Sequence, residues 1–183
     1  MTVFFCADLH KGHKNAFKYR KWASKEIHDE VIRDNWFRTV GKKDKVFVLG
    51  DVSFSAEEWA DFATWPGAKC VVLGNHCTQY NTARDIPDSI EIHGLLKYKE
   101  FWLSHAPIHP TELRGKLNIH GHTHSFVVPD TRYLGVSLEQ ISYTPISLDE
   151  VRAEYERRQK FMHSYEKFGF IPAIQNQLRQ WKK

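Results

Sequence analysis

Polar side chains that can bind metal ions stand directly after short apolar runs at five places in the chain. The clearest place is the sequence IHGHTH at 119–124, where two imidazoles separated by one residue follow a strand-like run. The complete set is Asp8, His10, Asp51, Asn75, His76, His105, His122 and His124. Mixed imidazole and carboxylate ligands suit borderline divalent ions such as Mn, Fe, Zn, Co or Ni. The set exceeds the needs of one ion and matches two ions that share a bridging carboxylate.

Two neighbouring divalent ions would allow hydrolysis of a phosphoester. A pair of ions roughly 3.5–4 Å apart generates a hydroxide nucleophile at neutral pH and holds a phosphoryl group between the ions. Taken singly, each histidine is more simply a satisfied core or surface residue. The recurrence of these groups at strand ends is what favours a metal site.

The elements that must position these groups follow an α/β pattern. Short continuous apolar runs at 3–7, 45–49 and 69–73 predict buried strands. Between them, helical spacing over 24–40 and a Ser-x-x-Glu capping box at Ser55 predict two helices. Strands that alternate with helices favour a parallel sheet, in which ligands bind at the carboxyl ends of the strands.

The rest of the chain predicts a second group of strands and a helical tail. Strand-like runs follow one another without long helices at 89–93, 101–104, 117–119, 133–138 and 142–146. They indicate a second sheet or an antiparallel extension of the first. A capping box at Ser147 predicts a helix that ends before Gly169, with a short last helix at 174–178. We expect one domain over 1–183, with a helical extension from about residue 148 to 183.

Composition and cysteine usage indicate the expected environment. The 183 residues are 42% hydrophobic and 14% aromatic, which is typical of a globular domain rather than a disordered chain. Three cysteines without a Cys-x-x-Cys pair argue against a disulfide framework. The apolar runs are too short to cross a bilayer, and the N-terminus is unlike a signal peptide. We therefore expect a cytoplasmic protein with no membrane partner.

The ordered set of motifs resembles that of the calcineurin-like metallophosphoesterase family. The matching blocks are Asp8-x-His10, Gly50-Asp51, Gly74-Asn75-His76, His105 and Gly121-His122-x-His124. The short chain and the sequence DLHKGHKN at 8–15 resemble the small bacterial and phage members, and residues 135–146 resemble the closing strands of the family domain. The resemblance implies a four-layer αββα sandwich of two mixed β-sheets, with the metal ions at strand ends.

The resemblance also implies a role for each member of the set. One ion would be held by Asp8, His10, Asp51 and His124. The other ion would be held by Asp51, Asn75, His105 and His122, with Asp51 bridging. Manganese is the expected metal, with iron, zinc, nickel or cobalt as alternatives. His76 would face the phosphate and assist the leaving group as a general acid, so that His76 and Asp51 are the expected catalytic residues.

One position departs from the family pattern. Cys77 follows His76 where the family usually has an aspartate or glutamate that orients the histidine. A thiol is a poor substitute for a carboxylate as a hydrogen-bond acceptor. Either another group such as Asp85 or Asp88 orients His76, or acid catalysis is weaker and the preferred leaving group is a better one. Cys77 itself is more simply a small packed residue than a ligand or nucleophile.

A basic segment with interleaved aromatic residues lies beside the expected centre. Residues 9–45 and 149–183 carry an excess of lysine and arginine, within a net charge of +4. His13, Lys11 and Asn15 are the candidate substrate contacts in the first of these segments. Such a segment can hold a nucleotide or a nucleic-acid strand through charge and stacking. A solvated loop explains the same pattern equally well.

These observations predict an enzyme that hydrolyses a phosphoester through a metal-bound hydroxide. Val52 and Ser53 follow Gly50-Asp51 in place of the Asp-Arg-Gly continuation of the family's protein phosphatases. This favours a phosphodiesterase that acts on a small nucleotide or a nucleic-acid end. The alternatives are a phosphomonoesterase and a non-catalytic module that binds phosphate or a partner. A further alternative gives the basic tail the main role, in oligomerisation or nucleic-acid binding.

Overall fold

Two mixed β-sheets form the centre of the fold. The structure, a computed structural model, describes residues 1–79 and 83–168, with side chains as far as residue 160. The first sheet contains β1 (Val3–Cys6), β2 (Lys45–Val48), β3 (Ala68–Val72), β4 (Glu91–His93) and β9 (Ile146–Ser147). Its strand order is β4-β3-β2-β1-β9, and all neighbours are parallel except the antiparallel pair of β1 and β9.

The second sheet has the order β5-β6-β7-β8. Its strands are β5 (Leu96–Tyr98), β6 (Phe101–Ser104), β7 (Leu117–His120) and β8 (Tyr133–Gly135). The first two strands form an antiparallel hairpin, and β6, β7 and β8 are parallel. The predicted α/β fold, an αββα sandwich built on two mixed sheets, is therefore confirmed.

Among the described residues, four α-helices and two short 3-10 helices (Ala83–Asp85 and Pro110–Glu112) accompany the sheets, and serine side chains cap three of the α-helices. The four α-helices are α1 (Ala16–Tyr19), α2 (Lys25–Thr39), α3 (Ala56–Thr64) and α4 (Leu148–Phe168). The hydroxyl oxygens of Ser24 and Ser55 accept hydrogen bonds from backbone N–H groups of the first helical turn at 3.2 Å. Ser147 does the same at 3.3 Å. Within the part of the chain that the structure describes, no helix has both the length and the apolar character needed to span a membrane.

The first sheet is covered on both faces, which explains its continuous apolar strands. One face packs on α2 and α3 through Phe4, Val46, Val71, Trp36 and Phe62. The opposite face packs against the second sheet through Phe5, Phe47, Phe101, Leu103 and Ile119. Helix α4 adds Val151 and Tyr155 to this second cluster. Each fully buried side chain of this kind contributes about 1.5–3 kcal/mol to stability.

The prediction of a strand at 142–146 is wrong. Only Ile146 and Ser147 pair with β1, and Ser142 and Tyr143 have positive φ angles of 52° and 59°. The aromatic ring of Tyr143 packs on Trp22 with the ring centroids 5.3 Å apart. Packing in a turn therefore overrides the strand propensity of this segment. The short helix predicted at 174–178 lies outside the described residues.

The contact between α4 and β7 generates a test of the fold. The Tyr155 hydroxyl donates a hydrogen bond of 2.7 Å to the carbonyl oxygen of Asn118, and the Tyr155 ring stacks on Phe101. Tyr155→Phe keeps the ring and removes the hydrogen bond, so we expect the free energy of unfolding to fall by about 1 kcal/mol. Urea denaturation followed by circular dichroism measures the change. Tyr19→Phe is the matched control, because Tyr19 is 84% exposed and should leave stability unchanged.

Candidate metal centre

The carboxyl ends of strands from both sheets meet at one place. Several residues that follow these strands have a strained backbone conformation. The φ angles there are positive at Asp8 (60°), His10 (50°), Asp51 (52°), His122 (69°) and His124 (49°). Residues other than glycine rarely adopt this backbone conformation, and each instance costs of the order of 1–3 kcal/mol of stability. Such strain clusters at functional sites, where the surrounding structure holds it in place.

Glycine is required where these segments approach one another. A Cβ atom at Gly121 would overlap Ala7 and lie 2.8 Å from a carboxylate oxygen of Asp8. A Cβ atom at Gly74 would overlap the carboxylate of Asp51. The absence of a side chain at these two positions lets the backbone pass directly beside the two buried aspartates.

The first group of donor atoms comes from Asp8, His10 and His124. One potential ligand atom from each residue lies within 4.8 Å of the others. The rings of His10 and His124 are stacked with their centroids 5.2 Å apart. His10 Nε2 also lies 3.9 Å from Asp51 Oδ2, which brings the fourth predicted ligand of this ion to the group.

The second group surrounds His105 Nε2. This nitrogen lies 2.8 Å from Asn75 Oδ1, 3.1 Å from His122 Nδ1 and 3.4 Å from Asp51 Oδ2. The Nδ1 atom of His105 is 2.8 Å from the carbonyl oxygen of Leu49, to which it donates a hydrogen bond. That bond keeps Nδ1 protonated, so that Nε2 is the nitrogen available to an ion once it gives up the proton it shares with Asp51. All four predicted ligands of the second ion therefore point at one another.

Each aspartate has one oxygen held by the protein and one turned towards the donors. Asp8 Oδ2 accepts hydrogen bonds from Ser137 Oγ at 2.6 Å and from the backbone N–H of His122 at 2.9 Å. Asp51 Oδ1 accepts one from the backbone N–H of His76 at 2.9 Å. Asp8 also forms a ligand group with Asp51 and His105, so both aspartates lie between the two groups.

Orphaned lone pairs show that the residues fit divalent cations. Asp8 Oδ1 and His10 Nε2 are buried and lack a hydrogen-bond partner among the described residues. A buried polar group left in this way costs about 1–3 kcal/mol. A cation bound between the donors would satisfy both atoms, and also the acceptors that face one another around His105. The donor set therefore fits two divalent ions.

The electrostatics of the site agree with this fit. Burial raises the pKa of Asp8 despite the hydrogen bond from Ser137, because a carboxylate there lacks a full counter-charge. Burial would also raise the pKa of Asp51, but the hydrogen bond and charge of His105 lower it. Burial and the positive charge of Arg20 lower the pKa of His10 to about 3. His10 is therefore a neutral imidazole, which is the form that binds metal ions.

Two residues that support the site are absent from the motifs. Glu139 Oε1 accepts hydrogen bonds from His124 Nδ1 at 2.9 Å and from Arg20 Nε at 2.8 Å. The guanidinium of Arg20 also donates to the carbonyl oxygens of Leu9 and Asp8. Burial raises the pKa of Glu139, but the hydrogen bond from His124 and the charge of Arg20 bring it down to about 2. Glu139 therefore holds His124 with Nε2 turned away from it and free to bind an ion.

The structure identifies the partner of His76. Its Nδ1 atom pairs with Gln79 Oε1, whereas Asp85 and Asp88 are exposed residues in the next segment. The sequence-based suggestion that one of these aspartates orients His76 is therefore replaced by Gln79. Cys77 is fully buried, and its sulfur accepts hydrogen bonds from the backbone N–H groups of Asp51 and Gly74. The thiol supports the turn rather than the imidazole.

The candidate substrate contacts separate into two kinds. Lys11 is 8% exposed, and its ammonium group is paired with Glu58 and, at 3.0 Å, with Asp61. The substrate contact of Lys11 stays a prediction, and the ion pairs show that its charge is already balanced inside the fold. His13 remains at the mouth of the site, with its ring centroid 6.0 Å from that of His10. Asn15 is exposed on the same loop, where its backbone N–H donates to His13 Nδ1 at 3.3 Å.

Comparison with known proteins identifies relatives of the chain. No protein-family model matches it. It is 31% identical to the gene 66 protein of Mycobacterium phage D29, over 82% of this chain and 94% of that protein. It is 31% identical to the gene 66 protein of Mycobacterium phage L5 over 68% and 78%, and 32% identical to an uncharacterised protein of Methanocaldococcus jannaschii over 80% and 87%.

A solved structure shares the fold. It is a protein of unknown function from Aquifex aeolicus, which matches 83% of this chain and 98% of its own with a TM-score of 0.64 and 24% sequence identity. At this level of identity the match shows the fold alone. It supports the arrangement of the two sheets described above.

The two histidines of the His-x-His segment should serve different ions. Because His124 lies with Asp8 and His10, and His122 with His105, we expect each single alanine variant to lose one of two bound manganese ions. Elemental analysis after loading and desalting measures the ratio of metal to protein. His109→Ala is the control, because His109 is an exposed histidine and should leave the ratio unchanged. Loss of both ions from both variants would show that the two groups are not separate.

Glu139 should affect metal binding through His124. Glu139→Gln keeps the shape of the side chain and removes the negative charge that supports the imidazole, so we expect the manganese affinity of one ion to fall about 10–100-fold. Isothermal titration calorimetry measures both affinities. Glu112→Gln makes the same chemical change on a side chain that is 56% exposed, and should alter neither affinity. Equal binding by Glu139→Gln and the native protein would contradict the supporting role.

Proposed function

The chain belongs to the family of the mycobacteriophage gene 66 proteins, and we propose that it is a metal-dependent phosphoesterase acting on a phosphodiester, in a nucleotide or at a nucleic-acid end. The observation that carries this proposal is the pair of donor groups that meet at Asp8 and Asp51. The motif resemblance to the calcineurin-like metallophosphoesterases supports the same assignment. Two divalent ions, when bound, would supply a nucleophile from water at neutral pH and neutralise charge on the phosphoryl oxygens.

The protein's own residues would first hold and orient the ions. Asp8, His10 and His124 form one group and Asn75, His105 and His122 the other, with Asp51 contributing to both. The hydrogen bonds to Asp8 Oδ2 and Asp51 Oδ1 fix the carboxylates before any ligand arrives. Because these groups need not reorganise during the reaction, they are suited to electrostatic catalysis.

His76 is the residue best placed to move a proton. Its ring centroid lies 5.8 Å from that of His10, at the open side of the donor groups. The hydrogen bond between Nδ1 and Gln79 leaves Nε2 directed away from Gln79 and able to donate a proton to a leaving-group oxygen. The backbone N–H of His76 also donates to Asp51 Oδ1, which ties the position of the acid to the aspartate between the two groups.

The segment after Asp51 supports a diester rather than a phosphoprotein as substrate. Ser53 is buried, and its hydroxyl donates a 3.2 Å hydrogen bond to the carbonyl oxygen of Lys11. This segment therefore builds the wall of the site and carries none of the Asp-Arg-Gly sequence expected of protein phosphatases. His13 and Phe54, whose rings lie 4.6 Å apart beside His10, could stack on the base of a nucleotide or of a nucleic-acid end.

Two substrates with different leaving groups test both the activity and the role of His76. The manganese-loaded protein should hydrolyse a chromogenic aryl diester and a diester with an alkoxide leaving group. His76→Ala should lose about 10²–10⁴-fold in kcat/KM on the alkoxide substrate, which needs protonation, and much less on the aryl substrate. Asp51→Asn should lose activity on both. Gln79→Ala should follow the pattern of His76→Ala with a smaller loss.

Matched controls keep this test specific. His109→Ala should retain full activity on both substrates, because His109 is exposed and bonded locally to Thr111. A monoester assayed in parallel decides between diesterase and monoesterase, and faster turnover of the monoester would overturn the assignment to diesters. The enzymatic proposal fails if no substrate turns over with metal bound, or if Asp51→Asn is as active as the native protein.

A further inference from the structure

A second set of metal-ligating side chains lies at the edge of the first sheet. Potential ligand atoms of Cys70, Glu91 and His93 all lie within 4.8 Å of one another. Cys70 and Glu91 are directly paired between β3 and β4, and Glu91 and His93 project on the same face because they are two residues apart. Cys70 and Glu91 are paired within the strands, whereas Asn75 lies three residues beyond the end of β3, so the set is separate from the candidate centre.

The two carboxylate oxygens of Glu91 have different partners. Oε2 is bound by Lys45, whereas Oε1 faces the other ligands of the set. Lys45 Nζ donates to Glu91 Oε2 at 3.2 Å, and His93 Nε2 lies 2.7 Å from Glu91 Oε1. The side chain of Glu91 is 53% exposed and that of His93 is 30% exposed, whereas Cys70 is fully buried. An ion could therefore enter from solvent past Glu91 and His93 and reach the sulfur at the inner end.

We propose that Cys70 Sγ, Glu91 Oε1 and His93 Nε2 bind a divalent ion of the zinc class, with water as the fourth ligand. A thiolate, an imidazole and a carboxylate are the ligands that zinc takes in tetrahedral sites. The thiolate and the carboxylate together balance the charge of the ion. Lys45 stays on Glu91 Oε2, where it orients the carboxylate from outside the metal.

Binding is coupled to release of one proton. Without metal, burial and the neighbouring Glu91 raise the pKa of the Cys70 thiol to about 12, so the sulfur is protonated at neutral pH. When the sulfur–metal bond forms, the sulfur–hydrogen bond breaks and the proton passes to solvent. His93 Nε2, which donates to Glu91 Oε1 without metal, gives up its hydrogen as Nδ1 takes one from solvent, so the net release is one proton. The ion would join β4, a three-residue edge strand, to β3. This site is independent of the proposed phosphoesterase activity.

Cobalt(II) is the probe, because a cobalt–thiolate bond gives a near-ultraviolet charge-transfer band that oxygen and nitrogen ligands do not give. Titration of the native protein should produce this band. Cys70→Ser should abolish it, and His93→Ala should weaken the cobalt affinity at least about 10-fold, since even an indirect metal partner is worth that much. Cys6→Ser is the matched control, because Cys6 is an equally buried strand cysteine outside the set and should leave the band unchanged.

A further variant distinguishes this site from the candidate centre. Cys77 lies beside Asp51, so a band that survives in Cys77→Ser and disappears in Cys70→Ser supports the proposal. A band lost in Cys77→Ser and retained in Cys70→Ser overturns it. The proposal also fails if the native protein binds cobalt without the band, or if the band of His93→Ala reaches half its intensity at the same cobalt concentration as that of the native protein. His93 is partly exposed, so that its variant should fold even if Cys70→Ser does not.

Discussion

The parallel register between β1 and β2 is the constraint on which the candidate metal centre depends. Beyond the strands, the ladder continues through hydrogen bonds from the backbone N–H of Asp8 to the carbonyl of Gly50 at 3.0 Å, and from His10 to Asp51 at 2.9 Å. These bonds place two buried carboxylates side by side while both residues keep positive φ angles. A shift of one residue in either strand would turn one carboxylate to the opposite face of the sheet. Both strands pack their apolar side chains against α2, α3 and the second sheet, and this packing opposes such a shift.

The support behind this register is electrostatic. Arg20 bonds to the carbonyl oxygens of Asp8 and Leu9, and its charge is balanced by Glu139, which in turn holds His124. The strained turn after β1 and a ligand of the His-x-His segment are thus joined through one buried ion pair. Breaking such a pair leaves an uncompensated buried charge, so each member depends on the other. This arrangement explains how the strain at the strand ends can be maintained.

Much of the fold and the donor set followed from the sequence because their signals are local. The apolar runs, the serine caps at Ser24 and Ser55, and the polar residues after each strand are patterns within a few positions. Arg20 and Glu139 are separated by 119 residues and belong to no motif, so their pairing depends on tertiary structure. Lys11 shows the same dependence: its place in a basic segment predicted a substrate contact, and its ion pairs with Glu58 and Asp61 become visible only in the tertiary structure. The partner of His76 was also missed, because a glutamine two residues beyond Cys77 is not a pattern that marks an orienting group.

The basic side chains near the candidate centre are already paired with carboxylates, and this affects which substrate the proposed reaction would favour. Lys11 and Arg20, two basic residues close to the centre, are both paired with carboxylates and so contribute little charge to an incoming phosphate. Burial and nearby His76 lower the pKa of His13, so this residue at the mouth of the site is a neutral imidazole at neutral pH. The metal ions would then provide most of the positive charge that a phosphate encounters. A phosphodiester carries a single negative charge and a phosphomonoester close to two at neutral pH, as the second ionisation near pH 6 dictates. The pairing of the protein cations therefore supports the proposal of a diester substrate.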